Sequence, residues 1–157
     1  MLMYIYVASS WRNGYHEGVV QALRDQGLSV YDFRHPDEND PGFSWRDIAA
    51  EWKDWCPAEW REGLKHPIAQ AGFTSDKNAL DKADCVVLVL PCGRSAHLEA
   101  GYAAGLNKPV FTLALDQCEP ELMVLLLGPA DNLCTSLDEL IARLRSITPA
   151  TLAQGGS

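Results

Sequence analysis

The segment from residue 83 to residue 109 constrains the fold more than any other part of the chain. It begins with an unbroken apolar run, Cys85–Leu90, which is typical of a strand buried on both faces of a sheet. A turn at residues 91–93 leads into an Ala-rich helix ending near Gly105, and a second apolar strand follows at Val110–Leu115. A strand, a turn, a helix and a strand in this order predict a βαβ unit with parallel strands.

Glu99 is the one formally charged residue between Ala96 and Leu106. We expect it in the first turn of the helix, beside the carboxyl end of a strand, where ligands bind in open α/β sheets. One interpretation is a favourable interaction with the helix dipole, worth about 0.3–1 kcal/mol. The other is catalytic, because a helix amino end also helps to keep a nucleophilic carboxylate ionised. A capping box does not fit, since Ser95 and Glu99 are four residues apart rather than three.

Apolar periodicity predicts that strands and helices alternate along most of the remaining chain. The further strands are expected at Leu2–Ala8, Leu28–Asp32 and Asp131–Cys134. The further helices are expected from Tyr15 to a Gly27 C-cap, at His66–Ala83, at Pro120–Leu127 and at Leu137–Leu144. Five strands that alternate with helices predict an α/β fold, a flavodoxin-like, doubly wound, five-stranded parallel sheet of order 2-1-3-4-5 with helices on both faces.

Residues 33–65 interrupt this alternation and contain four of the five tryptophans. Their first half is rich in Pro, Asp and Asn, which predicts a loop. From Ser44, a favourable N-cap, a helix is expected to run to Pro57, and a short second helix holds Trp60. The apolar positions of the first helix are three and four residues apart: Trp45, Ile48, Trp52 and Trp55. These aromatic residues either cover the core or a partner subunit, or form a lid that stacks on a base.

Length and composition favour a single domain at residues 1–148, with a Trp-rich insertion at 33–65 and a flexible tail at 149–157. No apolar run approaches the ~18 residues of a membrane span, and no basic segment typical of a signal peptide precedes the first strand. Five cysteines without a CxxC pattern predict reduced thiols and a cytoplasmic location. The net charge of −8 argues against a nucleic-acid-binding surface but is compatible with a small anionic ligand.

The polar turn after the first strand is a candidate anion site. It contains Ser10 and Arg12, at the same edge of the predicted sheet as the turn that precedes Glu99. Backbone N–H groups at a helix start bind anions. One anion could therefore be bound by both side chains together with the first N–H groups of the next helix. The alternative is a surface loop with a solvated arginine.

Asp76 is a charged residue on the apolar stripe of the helix at His66–Ala83, three residues after Phe73 and four before Leu80. A carboxylate on an inward-facing stripe is costly unless it is satisfied. One interpretation is a boundary residue bonded to neighbouring backbone. The other is a second site carboxylate that faces Glu99.

Cys92 and His97 could form a nucleophile–base pair or part of a metal site. A phosphatase loop of the C-x5-R type would need arginine where this chain has Leu98, and two ligands do not make a zinc site. We expect both residues to pack in the turn and at the helix start. The chain has no GxGxxG or Walker motif, and we expect neither a cofactor nor a metal.

Three segments resemble the nucleoside 2-deoxyribosyltransferase superfamily, including its 2'-deoxynucleoside 5'-phosphate N-hydrolase branch. They are YVASSWR at residues 6–12, SDKNALDKADCVVLVL at 75–90, and GRSAHLEAGYAAGLNKPV at 93–110. Asp76 falls where the family has a catalytic aspartate, eight residues before Asp84, and Glu99 falls on the family's nucleophile. The insertion at 33–65 is longer than in the hydrolase branch, and Arg94 stands where the family often has a small residue.

The resemblance implies that Glu99 is the nucleophile on the anomeric carbon and that Asp76 protonates the leaving base. Tyr6 would orient Glu99 or the sugar. The expected substrate-binding residues, with the 5'-phosphate as one target, are Ser10, Arg12, Gly93, Arg94 and Ser95. Elementary chemistry agrees, because cleavage of an N-glycosidic bond with retention needs one ionised and one protonated carboxyl group.

We therefore predict an N-glycosidase or nucleoside deoxyribosyltransferase-like enzyme that acts on a nucleoside or nucleoside 5'-monophosphate through a covalent ribosyl–Glu99 intermediate. A TIR-like NAD glycohydrolase and a non-catalytic nucleotide-binding module are the alternatives, and the presence of both Asp76 and Glu99 weighs against the second. The expected partners are a small nucleoside or nucleotide and further copies of the chain in a homodimer or higher homo-oligomer, with no nucleic acid and no membrane.

Overall fold

A sheet of five strands runs through residues 2–147, the part of the chain that the computed structural model describes. The strands are β1 (Tyr4–Ala8), β2 (Ser29–Asp32), β3 (Cys85–Leu90), β4 (Val110–Ala114) and β5 (Leu133–Cys134). The α-helices are α1 (His16–Asp25), α2 (Pro57–Gly63), α3 (Pro67–Lys82), α4 (Arg94–Gly105) and α5 (Leu137–Ser146). The sheet is parallel with the order β2-β1-β3-β4-β5, so the predicted flavodoxin-like topology is confirmed. The predicted tail, residues 149–157, lies outside the described residues.

The chain divides into two compact units. The sheet unit holds the residues up to Tyr31 and from Leu80 onward, and the insertion unit holds Asp32–Ala79. The insertion unit contains the Trp-rich residues 33–65 and most of α3. None of the helices in the described part of the chain is both long and apolar enough to cross a membrane.

The sheet unit buries both faces of its central strands, because alternate strand residues point to opposite faces. One face packs against α1 and α5 in a buried cluster that includes Val7, Val87, Leu23 and Leu140. The other face packs against α4, which approaches β1, β3 and β4. This helix turns three buried small residues toward the sheet: Ala96, Ala100 and Ala103. The prediction of helices on both faces is confirmed.

The single helix predicted from Ser44 to Pro57 is wrong. Only two short 3₁₀ helices form there, at Trp45–Asp47 and Trp52–Asp54, although the Ser44 side chain does cap the first by accepting from the Arg46 N–H. The rings of Trp45 and Trp55 meet edge to face with centroids 5.6 Å apart. In a continuous α-helix, ten residues would separate them by about 15 Å along the axis, so their contact requires the helix to break.

The inward stripe predicted for α3 is correct at Leu80 and Ala83 but wrong at Phe73, whose side chain is 63% exposed. The buried or half-buried positions include the small residues Ala69, Gly72 and Ala79, together with Asp76. A Cβ built on Gly72 would come within 2.9 Å of the Phe43 Cβ, so this position needs glycine. The prediction assigned Phe73 to the inner face of α3 because it is a large apolar residue, whereas that face is made mostly of small side chains.

The elements after β4 are shorter than predicted. The helix expected at 120–127 is a 3₁₀ helix at Leu122–Leu126, and the strand expected at 131–134 is reduced to β5. A 3₁₀ turn at Ala130–Asn132 precedes β5. The Asn132 side chain donates to the Val110 carbonyl at 3.0 Å, so a side-chain amide replaces main-chain pairing at the start of β4.

Lys108 fastens the end of α3 to the start of β4. Its Nζ donates to three carbonyl oxygens, those of Leu80 at 2.8 Å and of Asp81 and Ala83 at 2.7 Å. The last carbonyls of a helix lack partners within the helix, and a cation there is favourable. We expect Lys108→Met to lower the free energy of unfolding, measured with urea, by about 1–3 kcal/mol.

The matched control for this prediction is Lys82→Met, because Lys82 is an exposed lysine at the end of the same helix. It should change the free energy of unfolding by less than about 0.5 kcal/mol. Equal effects of the two substitutions would contradict the assignment of Lys108 as the helix-end clamp.

Candidate active site

The turns after β1 and β3 form one edge of the sheet. The two strands are parallel neighbours, paired from Ile5 with Cys85 to Ala8 with Leu88, so their carboxyl ends lie side by side. The turns contain the residues predicted to bind substrate: Ser10, Arg12, Gly93, Arg94 and Ser95. Ser10 is half-buried and the other four are exposed, as binding to a ligand from solvent requires.

Asn13 joins these two turns. Its side-chain Nδ2 donates to the carbonyl oxygens of Val89 and Pro91, both at 3.0 Å, and its Oδ1 accepts from the Tyr15 N–H at 2.7 Å. The residue is 3% exposed. Sequence reasoning missed it, although asparagine is favoured in turns because its side chain bonds to nearby backbone.

A second buried polar contact supports the turn after β1. The Ser9 Oγ lies 2.5 Å from Nδ1 of His16, and the His16 side chain is fully buried at the start of α1. A buried polar group is stable when it is hydrogen-bonded. The pair therefore gives His16 a structural role that the sequence did not indicate.

Glu99 lies one turn further along α4 than predicted. The helix begins at Arg94 with Gly93 as its N-cap, and its first turn has no acidic residue. The helix-dipole effect falls off within the first turn, so the electrostatic interpretation of Glu99 loses most of its force. Glu99 is half-buried and is next in the chain to the buried Ala100, on a helix that packs against β1, β3 and β4.

Cys92 is a protonated thiol at neutral pH rather than a nucleophile. Burial raises its pKa to about 11, with a further contribution from the negative charge of Glu99. His97 Nδ1 lies 2.9 Å from the Gly93 carbonyl and 3.6 Å from the Cys92 Sγ. A carbonyl only accepts hydrogen bonds, so Nδ1 carries its proton in this contact and cannot serve Cys92 as a base.

Tyr6 and Asp76 lie in different units. Tyr6 is fully buried in β1, where its ring stacks on Tyr31 with centroids 5.2 Å apart. It alternates with core-cluster residues Ile5 and Val7, which places it on the sheet face that α4 covers. Asp76 is half-buried on α3 in the insertion unit. The pairing of Asp76 with Glu99 and the orienting role of Tyr6 stay predictions.

The insertion unit has an open hollow of about 540 Å³. Trp55, Ile48 and Ala58 form its apolar part, and Glu59 and Glu62 contribute carboxylates. A Cβ on Gly63 would meet the Trp55 ring at 2.5 Å, so the indole packs directly on the α2 backbone. Among residues 2–147, no group of three or more His, Cys, Asp or Glu side chains is placed to hold a metal ion.

The described part of the chain has a flavodoxin-like α/β fold, with the candidate groups of the two turns at the carboxyl edge of its sheet. The solved structure of the 2-deoxyribosyltransferase from the psychrotolerant bacterium Bacillus psychrosaccharolyticus is similar to it, with a TM-score of 0.55 and 21% identity over 95% of each chain. No protein-family model and no curated protein matches the chain. The resemblance predicted from the sequence is thus confirmed at the level of the fold.

Proposed function

We propose that the chain is an enzyme of the nucleoside 2-deoxyribosyltransferase superfamily. It breaks the N-glycosidic bond of a nucleoside or nucleoside 5'-monophosphate and passes the sugar to water or to a second base. The observation that carries the proposal is Glu99, a half-buried carboxylate in the second turn of α4. It lies beyond the first turn of the helix, where a capping box or the helix dipole would act. The similarity to a 2-deoxyribosyltransferase over 95% of both chains supports the same reaction class.

The reaction takes place in two steps. The Glu99 carboxylate attacks C1' of the sugar, the C1'–N bond breaks with its electron pair on the base, and Asp76 donates a proton to the base. Water or a second base then attacks C1' and gives a proton to the Asp76 carboxylate, while the C1'–O bond to Glu99 breaks and releases the Glu99 carboxylate; the outcome is hydrolysis or transfer. The two carboxyl groups must differ in protonation when substrate binds, with Glu99 ionised and Asp76 protonated.

Tyr6 and the two turns hold the rest of the substrate in this proposal. Tyr6 lies on the α4-covered face of the sheet and orients Glu99 or the sugar. Arg12 and Arg94 are exposed cations on adjacent turns, and a 5'-phosphate is the substrate group that they suit. Ser10, Gly93 and Ser95 supply hydroxyl and backbone N–H groups to it.

Arg12→Ala and Arg94→Ala are expected to lower the preference for monophosphates over nucleosides, each by about tenfold or more in kcat/KM, because charge-assisted hydrogen bonds contribute roughly 1.5–3 kcal/mol each. Turnover of the nucleoside should change little. Arg145→Ala, an exposed arginine on α5, is the control and should change neither. Equal catalytic efficiency of the wild-type chain on a nucleoside and its monophosphate would contradict a phosphate role for these arginines.

The proposed function is tested with a panel of nucleosides and nucleotides, read by chromatography for free base and, with a second base added, for exchanged nucleoside. Base release or exchange supports it and separates hydrolysis from transfer. Release of nicotinamide from NAD alone would favour a TIR-like glycohydrolase. Binding without any turnover would favour a non-catalytic nucleotide-binding module.

We also propose a homo-oligomer in a reducing compartment such as the cytoplasm. Helix α4 and its C-cap residue expose three apolar side chains at spacings of four residues: Leu98 is 74%, Tyr102 36% and Leu106 47% exposed. Such stripes are typical of surfaces that another chain covers. All five cysteines are free thiols, and reduced thiols are typical of proteins in such a compartment. Light scattering during size-exclusion chromatography measures the mass, and a monomer at all concentrations would contradict the oligomer.

A further inference from the structure

We propose that Asn13 is a positioning residue that sets the geometry of the turn leading into α4, and through it the placement of the substrate-binding groups at residues 93–95. This inference rests on the proposed function for its kinetic consequences only. The contacts that support it lie wholly within the sheet unit. It adds to the site a residue that touches no substrate.

The hydrogen bonds of Asn13 require an amide. Two carbonyl oxygens face one end of the side chain and one backbone N–H faces the other, which fixes the orientation of the amide without ambiguity. Aspartate offers no donor to the two carbonyls, and alanine offers nothing. At 3% exposure, little water can replace the lost bonds.

The position of these bonds matters because the pairing between β1 and β3 has already stopped there. The paired register of β1 and β3 ends at Ala8 with Leu88, and the carbonyls that Asn13 binds belong to Val89 and Pro91, beyond that point. Pro91 is separated from the N-cap Gly93 by one residue. The Asn13 side chain therefore continues the link between the strands up to the start of α4.

The turn that contains Asn13 is itself closed and anchored. The Asn13 N–H donates to the Ser10 carbonyl at 3.0 Å, which closes the segment carrying Ser10 and Arg12. The Tyr15 hydroxyl donates to Asp116 Oδ2 at 3.3 Å, and Asp116 follows β4. One buried side chain thus fixes the turn with Arg12 relative to the turn with Arg94, while Tyr15 ties the first turn to a third strand end.

The test compares Asn13→Ala with Lys108→Met, which removes a hydrogen-bonded clamp at the amino edge of the same sheet. For a nucleoside monophosphate, assayed well below both melting temperatures, Asn13→Ala should raise KM by about tenfold or more. Lys108→Met should change KM and kcat less than about twofold. If Asn13→Ala leaves both constants within twofold of wild type, or if the two variants have equal effects, Asn13 is only structural and the proposal is wrong.

A second readout separates this proposal from the proposed function. In ¹H–¹⁵N NMR spectra of the ligand-free chain, Asn13→Ala should shift the amide signals of Gly93, Arg94 and Ser95 and speed their hydrogen exchange, whereas Lys108→Met should not. This holds even if no nucleoside is turned over. Unchanged signals would overturn the inference while leaving the enzyme assignment intact. Should Asn13→Ala not fold, Asn13→Ser, which keeps one short donor, is measured in the same way.

Discussion

Glu99→Gln is expected to lower kcat by at least about 10³-fold, because the amide has nearly the shape of the carboxylate but is a very poor nucleophile. The melting temperature should change little, since Glu99 is only half-buried and the substitution preserves its size. Base release and thermal unfolding are measured on the same preparation. Glu17→Gln, an exposed residue in the first turn of α1, is the control and should retain full turnover.

The reactivity of Cys92 reports independently whether Glu99→Gln has removed the negative charge at residue 99. The negative charge of Glu99 contributes to the raised pKa of the Cys92 thiol, after burial. Removing that charge lowers the pKa of the Cys92 thiol, so a larger fraction of it is thiolate at a given alkaline pH. Alkylation of Cys92 at pH 9, followed by peptide mass spectrometry, should therefore be faster in Glu99→Gln than in wild type.

A folded Glu99→Gln variant with near-normal base release would contradict the assignment of Glu99 as the nucleophile.

The sheet and its order could be predicted because their signals are local. The apolar run at Cys85–Leu90 needs no knowledge of its neighbours to be assigned as a buried strand. The turn, helix and strand that follow it restrict the topology to a few choices. The same logic places Arg12 and Arg94 at one edge of the sheet, since the parallel strands β1 and β3 end on the same side.

What could not be predicted depends on contacts between distant residues or on backbone geometry. Asn13 and Val89 are 76 positions apart, and no spacing rule connects them. The helix expected from Ser44 rests on apolar spacing and a favourable N-cap, and neither signal indicates the contact between Trp45 and Trp55. Glu99 lies in the second turn of α4 because Gly93 is the N-cap and the helix begins at Arg94. A glycine inside a polar turn does not indicate that a helix begins directly after it.

The differences between the predicted and the observed helices bear on the roles of Glu99 and Asp76. Glu99 lies in the second turn of α4 rather than the first, where the helix-dipole effect is weak. Asp76 is half-buried on α3, as expected for the inward face, whereas Phe73 is exposed. The half-buried position of Asp76 therefore does not depend on the part of the prediction that is wrong. Each carboxylate can therefore be tested on its own.

Asp76→Asn is expected to slow base release by about 10²–10⁴-fold for substrates with poor leaving bases. Such bases need a proton as the C1'–N bond breaks, and an amide cannot supply one. Bases that leave readily as anions should be slowed much less, so a plot of log kcat against the pKa of the base becomes steeper in the variant. Asp54→Asn, an exposed aspartate in the same unit, should leave the slope unchanged. Equal slowing across all leaving groups would instead assign Asp76 to substrate binding or to structure.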